Sequence, residues 1–145
     1  MFEGLSYIEL SGEKYPIKCD LLVLEAIQEK FGSIDAFENG IMIWEPKLDE
    51  NGEPVIEDGK EVMQGRIPDM KPLNEGLYLM VKEGETIRAE EAGEPQREIT
   101  KEKIIRKVDM SPRELARLIH DEFYRCFYIK NGKTTQNQTA TEENK

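Results

Sequence analysis

His120, Asp121 and Glu122 set an imidazole beside two carboxylates, residue types that elsewhere hold metals or pass protons. On a helix, however, positions i, i+1 and i+2 point in three directions and do not converge on one ion. His120 is the single histidine of the chain, and a lone helical histidine beside acids reads as a surface or boundary residue. Cys126 falls on an apolar helical face and reads as core filler, with no second histidine to activate it as a nucleophile. Cys19 has the same structural reading, although Lys18 and the start of the following helix could draw its thiol pKa down. The stretch "DENGEPVIEDGKE" at 49–61 has the carboxylate density of a calcium loop. That loop needs glycine at its sixth position and oxygen ligands at alternate ones, whereas Gly52 falls fourth and proline and valine occupy ligand slots. No glycine-rich phosphate loop follows a strand and opens a helix. The expectation is a non-enzymatic chain with no catalytic residue, no metal and no cofactor.

The bulk properties narrow the remaining classes. The 145 residues carry a net charge of −10, with 38% apolar and 34% charged residues, a length for one modest core. Residues 1–44 hold eight acids against three bases and residues 45–98 fifteen against seven; residues 99–130 reverse the sign, with eight bases against five acids. That balance argues against nucleic acid as a partner, because phosphate neutralisation needs a basic face. Two distant cysteines suit neither a disulfide scaffold nor a zinc site and read as reduced thiols. "MFEGLSYIEL" has no basic n-region and no apolar h-region, and the runs "LLVL" and "IMIW" are far too short for a membrane span. The expectation is a soluble intracellular protein without a membrane partner.

These residues need elements to position them. "YIEL" and "KYPIKC" both alternate around Ser11-Gly12, so residues 6–19 read as a β-hairpin with Tyr15, Ile17 and Cys19 on one face. Lys14, Pro16 and Lys18 then face the other way. Pro16 lacks an N–H for a ladder, which places it on an edge strand with that position directed away from the partner strand. Asp20 caps a helix whose stripe is Leu21, Leu24, Ile27 and Phe31, with Val23 beside it and Gly32 at its end. Ser33 caps a short second helix ended by Asn39-Gly40. Residues 45–66, with turn pairs Asn51-Gly52 and Asp58-Gly59, read as an acidic exposed hairpin or flexible arm. Pro72 at a first helical position, then Leu73, Leu77, Met80 and Val81, predicts a helix ending at Gly84, with a polar stretch over 85–98. Thr100 caps a short helix carrying Ile104, Ile105 and Val108. Ser111-Pro112-Arg113-Glu114 opens the last helix as a capping box, with Leu115, Leu118, Ile119, Phe123, Cys126 and Phe127 as its apolar face. Residues 131–145 read as a disordered tail. The fold class is therefore α+β: an N-terminal β-hairpin packed against a mainly α-helical body over residues 1–130, with the acidic insert and the tail. With no catalytic set, the candidate partner-binding residues are Ile41, Ile43, Trp44, Tyr124, Phe127 and Tyr128. Trp44 and Tyr128 read rather as core, since large aromatics are mostly buried, and as interface anchors if exposed.

The block "IELSGEKYPIKCDLLVLEAIQEKFGSIDAF" resembles the opening of tail assembly chaperones from siphovirus-type phages and prophages of Gram-positive bacteria. Gly12, Lys14, Tyr15, Pro16, Ile17, Leu24, Ile27, Phe31 and Gly32 carry that resemblance. "PLNEGLYLMVKEGETI" is similar to a second block of that family through Leu77, Glu83, Gly84 and Ile87, and "EITKEKIIRKVDMSPRELARLI" to a third. Residues 6–130 are covered, and the acidic insert is longer than the family pattern. The resemblance implies a packing role for Gly12, Tyr15, Pro16, Phe31, Gly32 and Gly84. It also implies binding to the phage tape measure protein in the host bacterial cytoplasm, with the tail tube protein an indirect partner and the chain a possible homo-oligomer. Many members are also made in a longer form by ribosomal frameshifting. Two other readings stand beside it: a small acidic regulator that occupies a basic site on a host protein, and a metal-dependent hydrolase built on His120.

Overall fold

Ser11 and Gly12 both take positive φ, 51° and 80°, the backbone that a two-residue hairpin turn demands and that glycine tolerates best. They join β1 (Ser6–Leu10) to β2 (Glu13–Ile17), antiparallel from Leu10↔Glu13 to Ser6↔Ile17. The structure, a computed structural model, describes residues 5–128, the side chain of Tyr128 excepted. The proposed tail at 131–145 lies outside the described residues. The hairpin is a sheet of two strands only, so Pro16 does stand on an edge strand.

Its side chain, however, is buried rather than turned to water. The cause is α3 (Met70–Ala92), which crosses β2 so closely that a Cβ on Gly84 would lie 2.2 Å from the Pro16 carbonyl oxygen. The Lys18 backbone N–H donates across the same junction to the Met80 carbonyl at 3.1 Å. Gly84 is therefore the crossing point inside a long helix, not its end. The helix continues for two further turns to Gly93, whose φ of 68° closes it.

Residues 85–92 belong to the stretch read as polar beyond a helix end, and their polarity serves a buried ion cluster. Glu85 is buried, and Arg88 grips it through Nε at 2.9 Å and a terminal nitrogen at 2.8 Å. The Arg97 backbone N–H adds 2.8 Å and its guanidinium 3.2 and 3.1 Å. A buried carboxylate with this many donors is satisfied where it would otherwise be costly. The cluster fastens the stretch after α3 to the helix, and Arg97 then lies over the Tyr15 ring, 4.8 Å from its centroid.

Local caps account for the other helix starts. Asp20 accepts from Val23 N–H to open α1 (Leu21–Phe31) and Ser33 from Ala36 N–H to open α2 (Ile34–Gly40). Leu21 and Leu22 fall in the first turn of α1 and are exposed, so the buried stripe is Val23 and Ile27, with Leu24 and Phe31 half-buried. Pro72 sits third in α3 rather than first, which is harmless because the first four N–H groups of a helix have no partner within it. Thr100 caps α4 (Lys101–Arg106), and the Ser111 hydroxyl accepts from Glu114 N–H at the start of α5 (Pro112–Tyr128). One apolar core joins hairpin and helices: Leu10, Ile17, Ile27, Phe37, Leu77, Met80, Ile104, Ile119 and Phe123 all belong to it. Glu75, also buried, ties three helices through Lys30 on α1 at 3.4 Å and Lys101 on α4 at 2.9 Å.

Candidate functional site

Between α2 and α3 the chain leaves the body as a β-arm. Short strands β3 (Trp44–Pro46) and β6 (Met63–Gly65) pair antiparallel at its root, and β4 (Ile56–Glu57) and β5 (Lys60–Glu61) pair near its tip. The two ladders are locked at one junction. Lys47 N–H donates to Val62 at 2.8 Å, Val55 N–H to Lys47 at 2.9 Å and Val62 N–H to Val55 at 2.9 Å. The turns at both tips use positive-φ glycines, Gly52 at 79° and Gly59 at 77°. An ordered ribbon thus stands where a flexible arm was one expectation.

Register decides what the ribbon shows. Trp44 faces Gly65, Pro46 faces Met63, Leu48 faces Pro54 and Ile56 faces Glu61. Side chains alternate along a strand and paired residues share a face, so these eight residues lie on one side of the arm. Six of them are large and apolar or proline, and all are exposed: Trp44 at 52%, Leu48 at 54%, Ile56 at 56% and Met63 at 48%. Val55 and Val62 lie on the other side, half-buried. An open apolar face of this kind marks an interaction site more often than chance exposure does.

At the root, α5 covers part of that face. The Arg113 guanidinium lies 4.9 Å from the Trp44 ring centroid and donates to the Ile43 carbonyl at 3.2 Å, and a Cβ on Gly65 would meet it at 3.2 Å. Beyond Arg113, a cleft of about 240 Å³ runs between residues 41–44 and α5, lined by Ile41, Met42, Ile43, Trp44, Arg117 and His120 among others. Helical spacing carries its α5 wall onward from Arg113 through Arg117, His120 and Tyr124 to Phe127. Tyr124 and Phe127 are about half exposed. His120 stacks on Tyr124 with ring centroids 5.8 Å apart, and Phe123 meets Phe127 edge-on at 5.2 Å.

Ile43 and Trp44 thus border the root of the arm, and Tyr124 and Phe127 lie further along the same face of α5. Ile41 is buried, and the Tyr128 side chain lies outside the described residues. Trp44 is not core: its strand position turns it outward and Arg113 caps it. The apolar residues of the arm, Leu48, Ile56 and Met63, were not among the sequence candidates. Their signal was available in the alternation of "WEPKL" and "PVIE" around glycine turns, but acidity obscured it.

Comparison with family models, with curated proteins and with solved structures returned no match.

The residues of the His-Asp-Glu run part company in the fold. His120 Nε2 lies 3.0 Å from Glu38 Oε2, Asp121 is exposed, and Glu122 is buried and accepts from the Cys19 N–H at 3.1 Å. Three neighbours therefore reach three different places. No cluster of metal-ligating side chains occurs among the described residues. Burial pushes the Cys19 thiol far up, not down, with the nearby Cys126 adding to it, and burial raises Cys126 as well.

Proposed function

We propose that this chain is a non-enzymatic assembly chaperone of the phage tail type, with the tape measure protein as client in the bacterial cytoplasm. The observation that supports this reading most is the exposed apolar face of the arm, with Trp44 at its root and Tyr124 and Phe127 exposed further along α5. A holder for a long, helical, aggregation-prone partner needs such a surface and needs to stay soluble itself. The net charge of −10 supplies the repulsion that keeps unloaded copies apart. Helix-in-groove recognition uses apolar anchors of this kind. The resemblance of the opening block to tail assembly chaperones points the same way. Co-expression with a tape measure fragment tests it: the fragment is expected in the soluble fraction together with this chain. A fragment that pellets alone would contradict the reading.

The acidic arm favours one alternative, a regulator that occupies a basic site on a host protein. Pull-down of one defined host protein from lysate lacking phage proteins, at equal stoichiometry, would support that alternative.

A further inference from the structure

The arm separates its chemistry by face. Residues 45–66 hold seven carboxylates against three cations, and all but one of those carboxylates lie on the turns or on the side opposite the apolar residues. Asp49 is used locally, accepting from the N–H groups of Asn51 and Glu53. Glu50, Glu53, Glu57, Asp58 and Glu61 take part in no ion pair among the described residues. The apolar patch is thus edged at its two turns, and at Glu61, by carboxylates that make no ion pair within the described chain. Two or three strand segments at about 4.8 Å spacing make a face about 10 Å across, close to the diameter of one helix.

We propose that the outer face of the arm, built on Pro46, Leu48, Ile56 and Met63, takes an amphipathic helix whose apolar stripe is flanked by lysine or arginine. The inference deepens the chaperone reading and rests on it, by naming the chemistry of the client segment. A second copy is disfavoured as occupant, because two chains of charge −10 repel and the basic helix α5 has its apolar face in its own core. Charge also decides against an acidic helix, which would meet these carboxylates with like charge. The helix lies with its apolar side chains on Leu48 and Ile56 while its cations reach the carboxylates at the arm's borders.

The probe is a fluorescent model helix of leucine and lysine in amphipathic register, with a leucine–glutamate helix of the same pattern as control. Anisotropy titrations use the full chain and its Leu48→Asp/Ile56→Asp variant. Both substituted side chains are exposed, and an unchanged circular dichroism melt checks that the variant is folded. The wild type is expected to bind the lysine peptide at least about tenfold more tightly than the glutamate peptide. The variant is expected to lose about tenfold or more. Attraction by charge alone would strengthen instead, because the variant adds two carboxylates, so equal or tighter binding by the variant overturns the proposal. A wild-type dimer in sedimentation that disappears in the variant would also overturn it, by making a second copy the occupant. A tape measure fragment held soluble by both proteins while peptide binding ignores the substitutions would overturn the arm assignment and leave the chaperone reading standing.

Discussion

Glu83 and Glu85 sit two residues apart on α3 and are driven in opposite directions. Burial raises Glu83 to about 7, and a hydrogen bond donated to the Asp20 carboxylate, the cap of α1, and the charge of that carboxylate add to it. Hydrogen bonds from Arg88, opposed by burial and aided by Arg97, hold Glu85 down at about 2. A proton held more tightly by the folded chain stabilises it only while bound. The Glu83 contribution is therefore complete below about pH 4.5 and lost as pH rises through about 7. Glu85 works in the reverse sense: its contribution is present above about 4.5 and lost as pH falls toward about 2. Glu83→Gln is expected to melt higher than wild type at about pH 8 and to flatten the decline of Tm from about pH 5 to 8. A lower melting temperature for that variant at the alkaline end would contradict the assignment. Neither role was legible in the sequence, because an acidic residue in "VKEGETIRAEE" gives no sign of which neighbour from another element will face it. The caps were legible: Asp20, Ser33, Thr100 and Ser111 each act on a backbone N–H within their own segment, so local chemistry sufficed.

The helices and the hairpin show where that local logic ends. Glycine inside a helix usually costs about 1 kcal/mol relative to alanine, so Gly76 and Gly84 look like weaknesses or stops. Both instead mark close packing. A Cβ at 84 would strike the backbone of Pro16, whereas a Cβ at 76 would meet the Phe37 ring edge at 2.8 Å. Backbone does not yield as a ring does. Gly84→Ala is expected to destabilise by about 3 kcal/mol despite its gain in helix propensity, and Gly76→Ala by about 1–2 kcal/mol. Chemical denaturation of the two variants measures both. An unchanged Gly84→Ala midpoint would remove the close crossing from the account. The crossing also explains Pro16, which carries no donor and lies under a helix rather than toward solvent. Periodicity read the start of α3 well and its end badly, since the ion cluster around Glu85 gives a buried helical turn the polarity of an exposed stretch. The apolar face of α1 was read correctly except at its first member: Leu21, like Leu22, follows the cap directly and projects beyond the body.

For the whole molecule, the α+β class and the order of elements were written in hydrophobic spacing and turn residues, and the binding surface was only half written there. Ile43, Trp44, Tyr124 and Phe127 could be singled out as aromatic or apolar residues without a catalytic use. That Ile43 and Trp44 meet α5 depends on this helix returning across the root of the arm, a contact between residues about 70 positions apart in the chain. Leu48, Ile56 and Met63 were hidden among carboxylates because the register of three short ladders, not composition, sets them on one face. The account therefore turns on that surface as the place where a helical client is held. Hydrogen–deuterium exchange of the chain with and without a tape measure fragment tests it most directly. Protection is expected over residues 44–65 and in α5 from Arg117 to Phe127, with the hairpin unchanged. Protection confined to α1 around Leu21 and Leu22, or absent from the arm, would contradict it.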